Sequence, residues 1–328
     1  MTEEADRISE KLIAYLRTQL NDSQIAYATP PKQLQGGFET QIYQFQLETT
    51  QEEFAKPLVL RLYPEFYGTG NAIWESSIQN VLATQGYPVA QTHLICKDIS
   101  ILGGAFIIMD FLPGKPLVTL PIETVSKLLG KTHAALHKID PQPLIKSLVA
   151  QGVNENALFL SNRYGWLKEK ADQFPWLSTA IDWLLEHQPP EPEQLVVCHG
   201  DFHPLNILAK DGAVTGVLDW PGFLIGDPVL DIANTVVLST IPFKHLAPTL
   251  GLDLAGLNFD DFVESYLAAY QTEQSFDQSK LDYYRVRRCV NALIQGSEGQ
   301  AVWQHPLIVK DLLDYIHGVT GIQVTMLT

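Results

Sequence analysis

The sequence predicts an α+β fold in two lobes: a small antiparallel-sheet lobe over residues 1–112 and a larger, mostly helical lobe over residues 113–328. Three observations predict it. In the first third, apolar residues fall in short alternating or continuous runs bounded by glycine and proline, the pattern of strands. From about residue 120 the spacing changes to the three-to-four period of helices. Between the two regimes, Pro113-Gly114 breaks the chain.

Along the chain, Ile8, Leu12, Ala14, Tyr15, Leu16 and Leu20 lie near helical period over residues 3–20, and Pro30-Pro31 ends that leader. Gln35-Gly36-Gly37-Phe38-Glu39-Thr40 is a glycine turn into an alternating run with Ile42, Phe45 and Leu47. A second strand covers Pro57 to Tyr63 and stops at Pro64. Ala72 to Gly86 reads as a helix closed by glycine, with Ile73, Ile78, Val81 and Leu82 on one side. Thr92 to Cys96 and Ala105 to Leu112 are two further strands, joined by Gly103-Gly104. Past the break, Val125, Leu128, Leu129, Thr132, Ala135, Leu136 and Ile139 mark a long helix. A helical stretch over 156–187 leads to the stiff connector Gln188 to Gln194, then to strands at 195–198, 206–209 and 214–219. Residues 229–316 read as mostly helical.

With 46% hydrophobic and 18% charged residues, the composition is that of an ordinary globular protein. The apolar stretch Ala105 to Met109 is far too short for a bilayer span, and the acidic N-terminus lacks a signal-peptide pattern. Cys96, Cys198 and Cys289 have no paired spacing, which points to a reducing compartment and no metal cluster; a cytoplasmic location is expected. The net charge of −15 argues against nucleic acid or an anionic membrane as partner. It is compatible with a cationic substrate, and solubility alone also accounts for it.

The most informative stretch is Val196-Val197-Cys198-His199-Gly200-Asp201-Phe202-His203-Pro204-Leu205-Asn206-Ile207-Leu208, followed by Gly216-Val217-Leu218-Asp219-Trp220. A carboxylate and an amide stand five residues apart on one loop, and a second carboxylate ends the next apolar run. Phosphoryl transfer needs such a set: one acid facing a hydroxyl, and an amide and an acid to hold Mg²⁺ on nucleotide phosphates. His199-x-Asp201-x-His203 also supplies metal-ligand types, so a metal-dependent hydrolase is a competing reading. The remaining histidines near in sequence, His187 and His245, lack ligand-like neighbours, which weighs against it.

His-Gly-Asp-x-x-x-x-Asn, then Leu-Asp-Trp, then Gly226-Asp227-Pro228-x-x-Asp231-Ile232-Ala233, resembles the aminoglycoside phosphotransferase family of small-molecule kinases, which share the protein-kinase-like fold. The resemblance is dense from about residue 35 to 240; the last ninety or so residues add only a compatible helical pattern. It implies transfer of the γ-phosphoryl group of ATP or GTP to a hydroxyl of a small molecule. It also implies Asp201 as catalytic residue, Asn206 and Asp219 as Mg²⁺ ligands, and His199 as a brace of the loop. Asp227 and Asp231 resemble the family's acids that hold this loop from behind; helix capping and first-turn charge explain them equally well. A nucleotide-binding pseudokinase is an alternative, yet a dead loop is expected to lose Asp201 or Asp219, and neither is missing.

In the first lobe, Gly36-Gly37 fits a phosphate loop or a plain hairpin. Kinases pair a strand lysine with a helix glutamate; here Arg61 and Glu75 take those places, and Arg61 either neutralises phosphate or only pairs structurally. Met109-Asp110-Phe111-Leu112 occupies the place of the purine-gripping hinge, and a buried strand end explains it equally well. The acceptor region is less legible. Tyr164, Trp166, Phe174, Trp176, Trp183, Tyr266, Tyr270, Tyr283, Tyr284 and Trp303 suit a helix-bundle core more than a cation-binding surface. Arg285, Arg287 and Arg288 would suit an anionic acceptor, although such groups are usually solvated helix faces.

Overall fold

In the computed structural model, described over residues 3–34, 40–252, 254 and 256–325, the chain builds the two-lobe α+β layout. The first lobe runs α1 (Glu3–Gln19), β1 (Ala26–Gln33), β2 (Gln41–Glu48), α2 (Glu52–Ala55), β3 (Leu58–Leu62), α3 (Gly70–Thr84), β4 (Thr92–Cys96), α4 (Ile99–Leu102) and β5 (Phe106–Asp110). Its five strands form one antiparallel sheet in the order β1-β2-β3-β5-β4. Strand alternation gives that sheet two different faces. Leu58, Leu60 and Leu62 join Ile8, Leu12 and Leu16 of α1 in one apolar cluster. Val59 and Tyr63, with Ile107 and Met109, turn to the other side, and so does Arg61.

The tandem prolines do not end the leader. Pro30 and Pro31 lie inside β1, an edge strand whose register against β2 shifts twice, between Tyr27 and Thr29 and between Thr29 and Lys32. Proline cannot donate to a ladder, so an irregular edge strand is where it is tolerated. Between β4 and β5 the chain makes the short α4 turn, and Gly104 then passes so close to β3 that a Cβ there would stand 2.0 Å from the Tyr63 carbonyl oxygen.

The second lobe runs β6 (Lys115–Pro116), α5 (Ile122–His137), α6 (Gln142–Ala150), α7 (Tyr164–Gln173), α8 (Ser178–Glu186), β7 (Val196–Cys198), β8 (Ile207–Lys210), β9 (Ala213–Val217), β10 (Leu224–Gly226), α9 (Pro228–Leu246), α10 (Phe259–Gln271), α11 (Leu281–Ser297) and α12 (Pro306–Thr320). The helical stretch expected over 156–187 is interrupted by turns of 3₁₀-helix, one of them opened by Pro175. Two small sheets, β6-β8-β9 and β7-β10, carry the conspicuous loop between helices. Most of the aromatic residues noted above are core: Tyr164, Tyr266, Tyr270, Tyr283, Tyr284 and Trp303 are buried.

Helix α5 packs against α10, and Gly130 sets their approach. A Cβ at Gly130 would lie 2.5 Å from the Tyr266 carbonyl oxygen and 2.8 Å from the Ala269 methyl. Gly130→Ala should therefore push the two helices apart and cost about 1–3 kcal/mol of stability, the usual toll of overpacking. Urea denaturation measures it; an unchanged midpoint would mean the helix pair yields freely.

Candidate active site

The chain leaves β7 at Cys198 and turns sharply through His199, Gly200 and Asp201. Gly200 has φ +80°, and a Cβ there would stand 2.2 Å from the Gly222 carbonyl oxygen, so only glycine fits between His199 and Asp201. Asn206 opens β8, and its amide nitrogen donates to both the backbone oxygen and the carboxylate of Asp201, each at 3.0 Å. The five-residue spacing closes the loop on itself. The Leu218 N–H donates to the Asn206 carbonyl at 2.8 Å, which brings Asp219 to the same end of the β8–β9 pair. Asp219 holds the left-handed φ of +70°, uncommon for any residue but glycine. The Asp201 and Asp219 side chains remain 39% and 41% exposed, so both open to solvent at the loop rather than into the core.

The loop is held from behind by one carboxylate. Asp231, fully buried in the first turn of α9, accepts the backbone N–H of His199 at 2.6 Å and of Gly200 at 2.8 Å. His133 Nε2 and His137 Nε2 on α5 reach its Oδ2 at 3.0 and 3.4 Å. Tyr266 and Tyr270 of α10 bond the opposite nitrogens of these rings, each at 2.7 Å. The whole set is satisfied with both imidazoles neutral, Nε2–H donating to Asp231 and Nδ1 accepting from tyrosine. Burial alone would raise the Asp231 pKa, but the two histidines outweigh it and hold the carboxyl well below its usual range. Burial lowers His133 from 6.5 to about 4.

His199 donates its Nε2–H to the Leu218 carbonyl at 3.0 Å and accepts the Asp201 N–H on Nδ1 at 3.2 Å. Both nitrogens are committed, so His199 has none left for a metal ion. His203 Nε2 lies 3.5 Å from Asp201 Oδ2. Burial alone would raise the Asp201 pKa; the hydrogen bond and charge of His203, with His199 and Arg288 behind, hold it well below the ordinary carboxylate range. Among the described residues the one triplet of His, Cys, Asp or Glu with metal-ligand spacing is His133, His137 and Asp231, which lies directly behind the loop and includes none of His199, Asp201 and His203.

From the sheet lobe, Arg61 reaches across. Its Nη1 pairs with Glu75 Oε1 and its Nη2 with Asp219 Oδ1, both at 2.9 Å. Tyr63 and Gln79 bond the Glu75 carboxylate at 2.6 and 3.1 Å. Burial alone would lower the Arg61 pKa, but Glu75, Tyr63 and Asp219 raise it above its ordinary value. Burial raises Glu75, against the pull of Arg61. The Arg61 Nε–H is buried without a partner. The other Asp219 oxygen and the Asn206 amide oxygen have no protein donor among the described residues. Two open hard oxygens at one end of the β8–β9 pair form a donor set that fits Mg²⁺.

The remaining sequence candidates fall in different places. Asp110 turns its carboxylate to Lys56 and His93, each at 2.7 Å, away from the site. Leu112 packs against Gly216, and its N–H has no acceptor among the described residues. Gly36 and Gly37 lie outside the described residues. Asp227 caps α9 through the Val229 N–H at 2.9 Å and pairs with Lys280 at 2.9 Å, tying α11 to the loop's support. Sequence reasoning missed His133 and His137; their one local signal is a four-residue spacing on the buried stripe of α5.

A model of the phosphotransferase enzyme family (APH) matches residues 31–284. The chain belongs to that family. Among curated proteins it is 28% identical over 173 residues to acyl-CoA dehydrogenase family member 11 of Gallus gallus, a match covering 48% of this chain. The chain spans 22% of the length of that relative. Among solved structures it is similar to a thermostable mutant of aminoglycoside phosphotransferase APH(4)-Ia in ternary complex with AMP-PNP and hygromycin B. That likeness has a TM-score of 0.61 and 17% identity, covering 95% of this chain and 99% of the other. It is also similar to an ethanolamine kinase of Plasmodium vivax, with a TM-score of 0.60 and 14% identity, covering 96% and 87%.

The buried histidines predict a pH dependence. The fold favours neutral His133, so the stability this group contributes is complete above pH 6.5 and is lost as pH falls from 6.5 toward 4, where its folded pKa lies. The loss over that window is roughly 3 kcal/mol at most. Urea denaturation across pH 7.5 to 4 should follow that slope, and imidazole NMR should find His133 neutral until about pH 4. A His133 signal titrating near 6.5 would overturn the neutral-ring arrangement.

Proposed function

We propose that the protein is a small-molecule kinase, transferring the γ-phosphoryl group of ATP or GTP to a substrate hydroxyl. In this reading residues 1–112 bind the nucleotide and residues 113–328 carry the loop and the acceptor region. The observation that carries it is the convergence of Asp201, Asn206 and Asp219 at one end of a hairpin, with Arg61 reaching Asp219 from the other lobe. Asn206 and Asp219 would hold Mg²⁺ through their two open oxygens. Bound there, Mg²⁺ supplies charge neutralisation on the phosphates.

Asp201 orients the acceptor hydroxyl through a carboxylate fixed by Asn206 and His203. The hydroxyl oxygen forms the new bond to the γ-phosphorus, the bond to the β–γ bridging oxygen breaks, and the nucleoside diphosphate leaves with that electron pair. The hydroxyl proton passes to Asp201. A carboxylate held at low pKa is a weak base, so its main contribution is position, as suits a loose transition state that needs little deprotonation. Arg61 serves as the phosphate cation, steadied by Glu75, with its unpartnered Nε–H an available donor. The N–H of Leu112 and the carbonyl of Asp110 supply the purine-facing edge, while Asp231, His199 and Asp227 keep the loop in place.

Asp201→Asn keeps the shape but removes the charge, so turnover should fall by roughly 10²–10⁴ while Mg²⁺-nucleotide stabilisation persists in a thermal-shift assay. Near-normal turnover would remove Asp201 from the mechanism.

For Arg61, calorimetry compares ATP with adenosine. Arg61→Ala should weaken ATP by about 1.5–3 kcal/mol and leave adenosine nearly unchanged. Arg61→Lys should recover part of the loss, keeping the charge but not the fork. Equal losses on both ligands would make Arg61 a purely structural tether.

A further inference from the structure

Near Asp201, whose charge Arg288 feels, the helical lobe buries cations that form no contact ion pair among the described residues. Arg287 and Arg288, adjacent on α11, are 5% and 7% exposed. Arg287 lies over the Tyr164 ring, 5.5 Å from its centroid, and has no hydrogen-bond acceptor among the described residues. Arg288 lies over the Trp303 ring at 4.7 Å, spends one N–H on Gln295 at 3.1 Å, and buries its Nε–H unpartnered. Arg163, close enough to feel the Arg287 charge, donates to the Phe223 carbonyl at 3.1 Å. Phe223 directly follows Gly222, whose carbonyl packs on Gly200 beside Asp201.

Among the described residues none of the three arginines forms an ion pair. Scarcity does not explain this: the chain has 37 acidic residues against 22 basic ones. A desolvated guanidinium normally finds a carboxylate, because burying an unpaired charge costs several kcal/mol. Aromatic faces offset part of that cost but leave the in-plane N–H donors unused. Burial lowers the pKa of Arg163 and of Arg288, Asp201 offsets part of it at Arg288, and Arg287 adds like-charge repulsion to both. The cluster is incomplete without an anion, and it adjoins the one carboxylate that faces the acceptor hydroxyl in the reading above.

We propose that the acceptor is an anionic hydroxy compound whose carboxylate or phosphate group sits on Arg163, Arg287 and Arg288, with its hydroxyl directed to Asp201. This rests on the kinase reading and narrows it. Forked arginine donors suit planar carboxylates and phosphates, and the Tyr164 and Trp303 rings beneath them hold the guanidinium planes in place. An aminoglycoside or amino alcohol, cationic at neutral pH, would meet repulsion here.

The test measures nucleotide consumption by the full chain with Mg²⁺-ATP against three matched panels. These are hydroxycarboxylates and hydroxyalkyl phosphates, neutral polyols and sugars, and amino alcohols with aminoglycosides. Transfer should be at least tenfold better, by kcat/KM, to members of the anionic panel; its two halves tell carboxylate from phosphate. Arg287→Gln and Arg288→Gln should each raise KM for the preferred acceptor by about 10–100-fold. Mg²⁺-ATP should stabilise both variants against heat as it does the parent protein, which shows that they fold. Arg288→Lys should restore part of the loss, which a merely structural role would not require.

Equal or better transfer to neutral or cationic acceptors overturns the anionic acceptor and leaves the kinase reading standing. So does Mg²⁺-ATP binding with no transfer to any anionic compound. Failure to bind Mg²⁺-ATP at all overturns the kinase reading, and the acceptor assignment with it.

Discussion

The structure depends on the buried carboxylate of Asp231. An unsolvated negative charge is among the costliest groups to place in a protein interior, and removing one partner of such a group typically costs 3–5 kcal/mol. Asp231 is tolerated because two backbone N–H groups and two imidazole N–H groups converge on it. The backbone donors belong to His199 and Gly200, so the same bonds that make the charge tolerable fix the residues before Asp201. The imidazoles are aimed by Tyr266 and Tyr270 of α10. They are aimed correctly only because Gly130 lets α10 lie against α5. Helix packing, ring orientation, buried charge and loop geometry form one chain of dependence, and the loop's position is a property of the helical core.

Arg61 connects that core to the sheet. A lysine ends in a single ammonium; the forked guanidinium meets Glu75 and Asp219 at once, both at 2.9 Å. One contact lies within the first lobe and the other crosses to the second, so the pair of bonds sets how the lobes face each other. An arginine at position 61 therefore has a structural consequence whatever its part in binding. Asp219 reaches this contact through a left-handed backbone, held by the pairing of Leu218 with Asn206. Backbone strain at a residue so tightly placed is common where side-chain direction matters more than local comfort.

What the sequence disclosed follows the range of each interaction. The His-Gly-Asp loop, Asn206 and Asp219 stand close in sequence, and the bonds that join them to one another span about twenty residues or fewer, so pattern alone located them, although the groups that hold them in place come from farther away. The strands β2, β3, β4 and β5 and the helices α3 and α5 also show in local periodicity. β1 did not, because its prolines argue against a strand unless one knows it lies at an edge. β10 is three residues long and wholly buried, too short for any period to register. His133 and Asp231 stand 98 residues apart, and no spacing rule connects them; only the packing of α5 beside α9 does. The partners of Asp110 were likewise invisible, since Lys56 and His93 come from elsewhere along the sheet.

Charge shows the same division between composition and place. A net charge of −15 reads, taken whole, as hospitable to cations. Yet exposed charges are screened over about 8 Å at physiological ionic strength. A ligand at the loop therefore responds to the groups it touches more than to the sum over the surface. In the proposed complex those groups include Arg287 and Arg288, buried, in no contact ion pair among the described residues, and flanked by aromatic rings. Low local polarizability strengthens their field where it matters, while the distant acidic surface is muted by salt. The distant charge still acts on encounter, slowing the approach of an anion at low ionic strength and relaxing as salt is added. The sign of the molecule and the sign of the proposed acceptor wall are thus separate quantities.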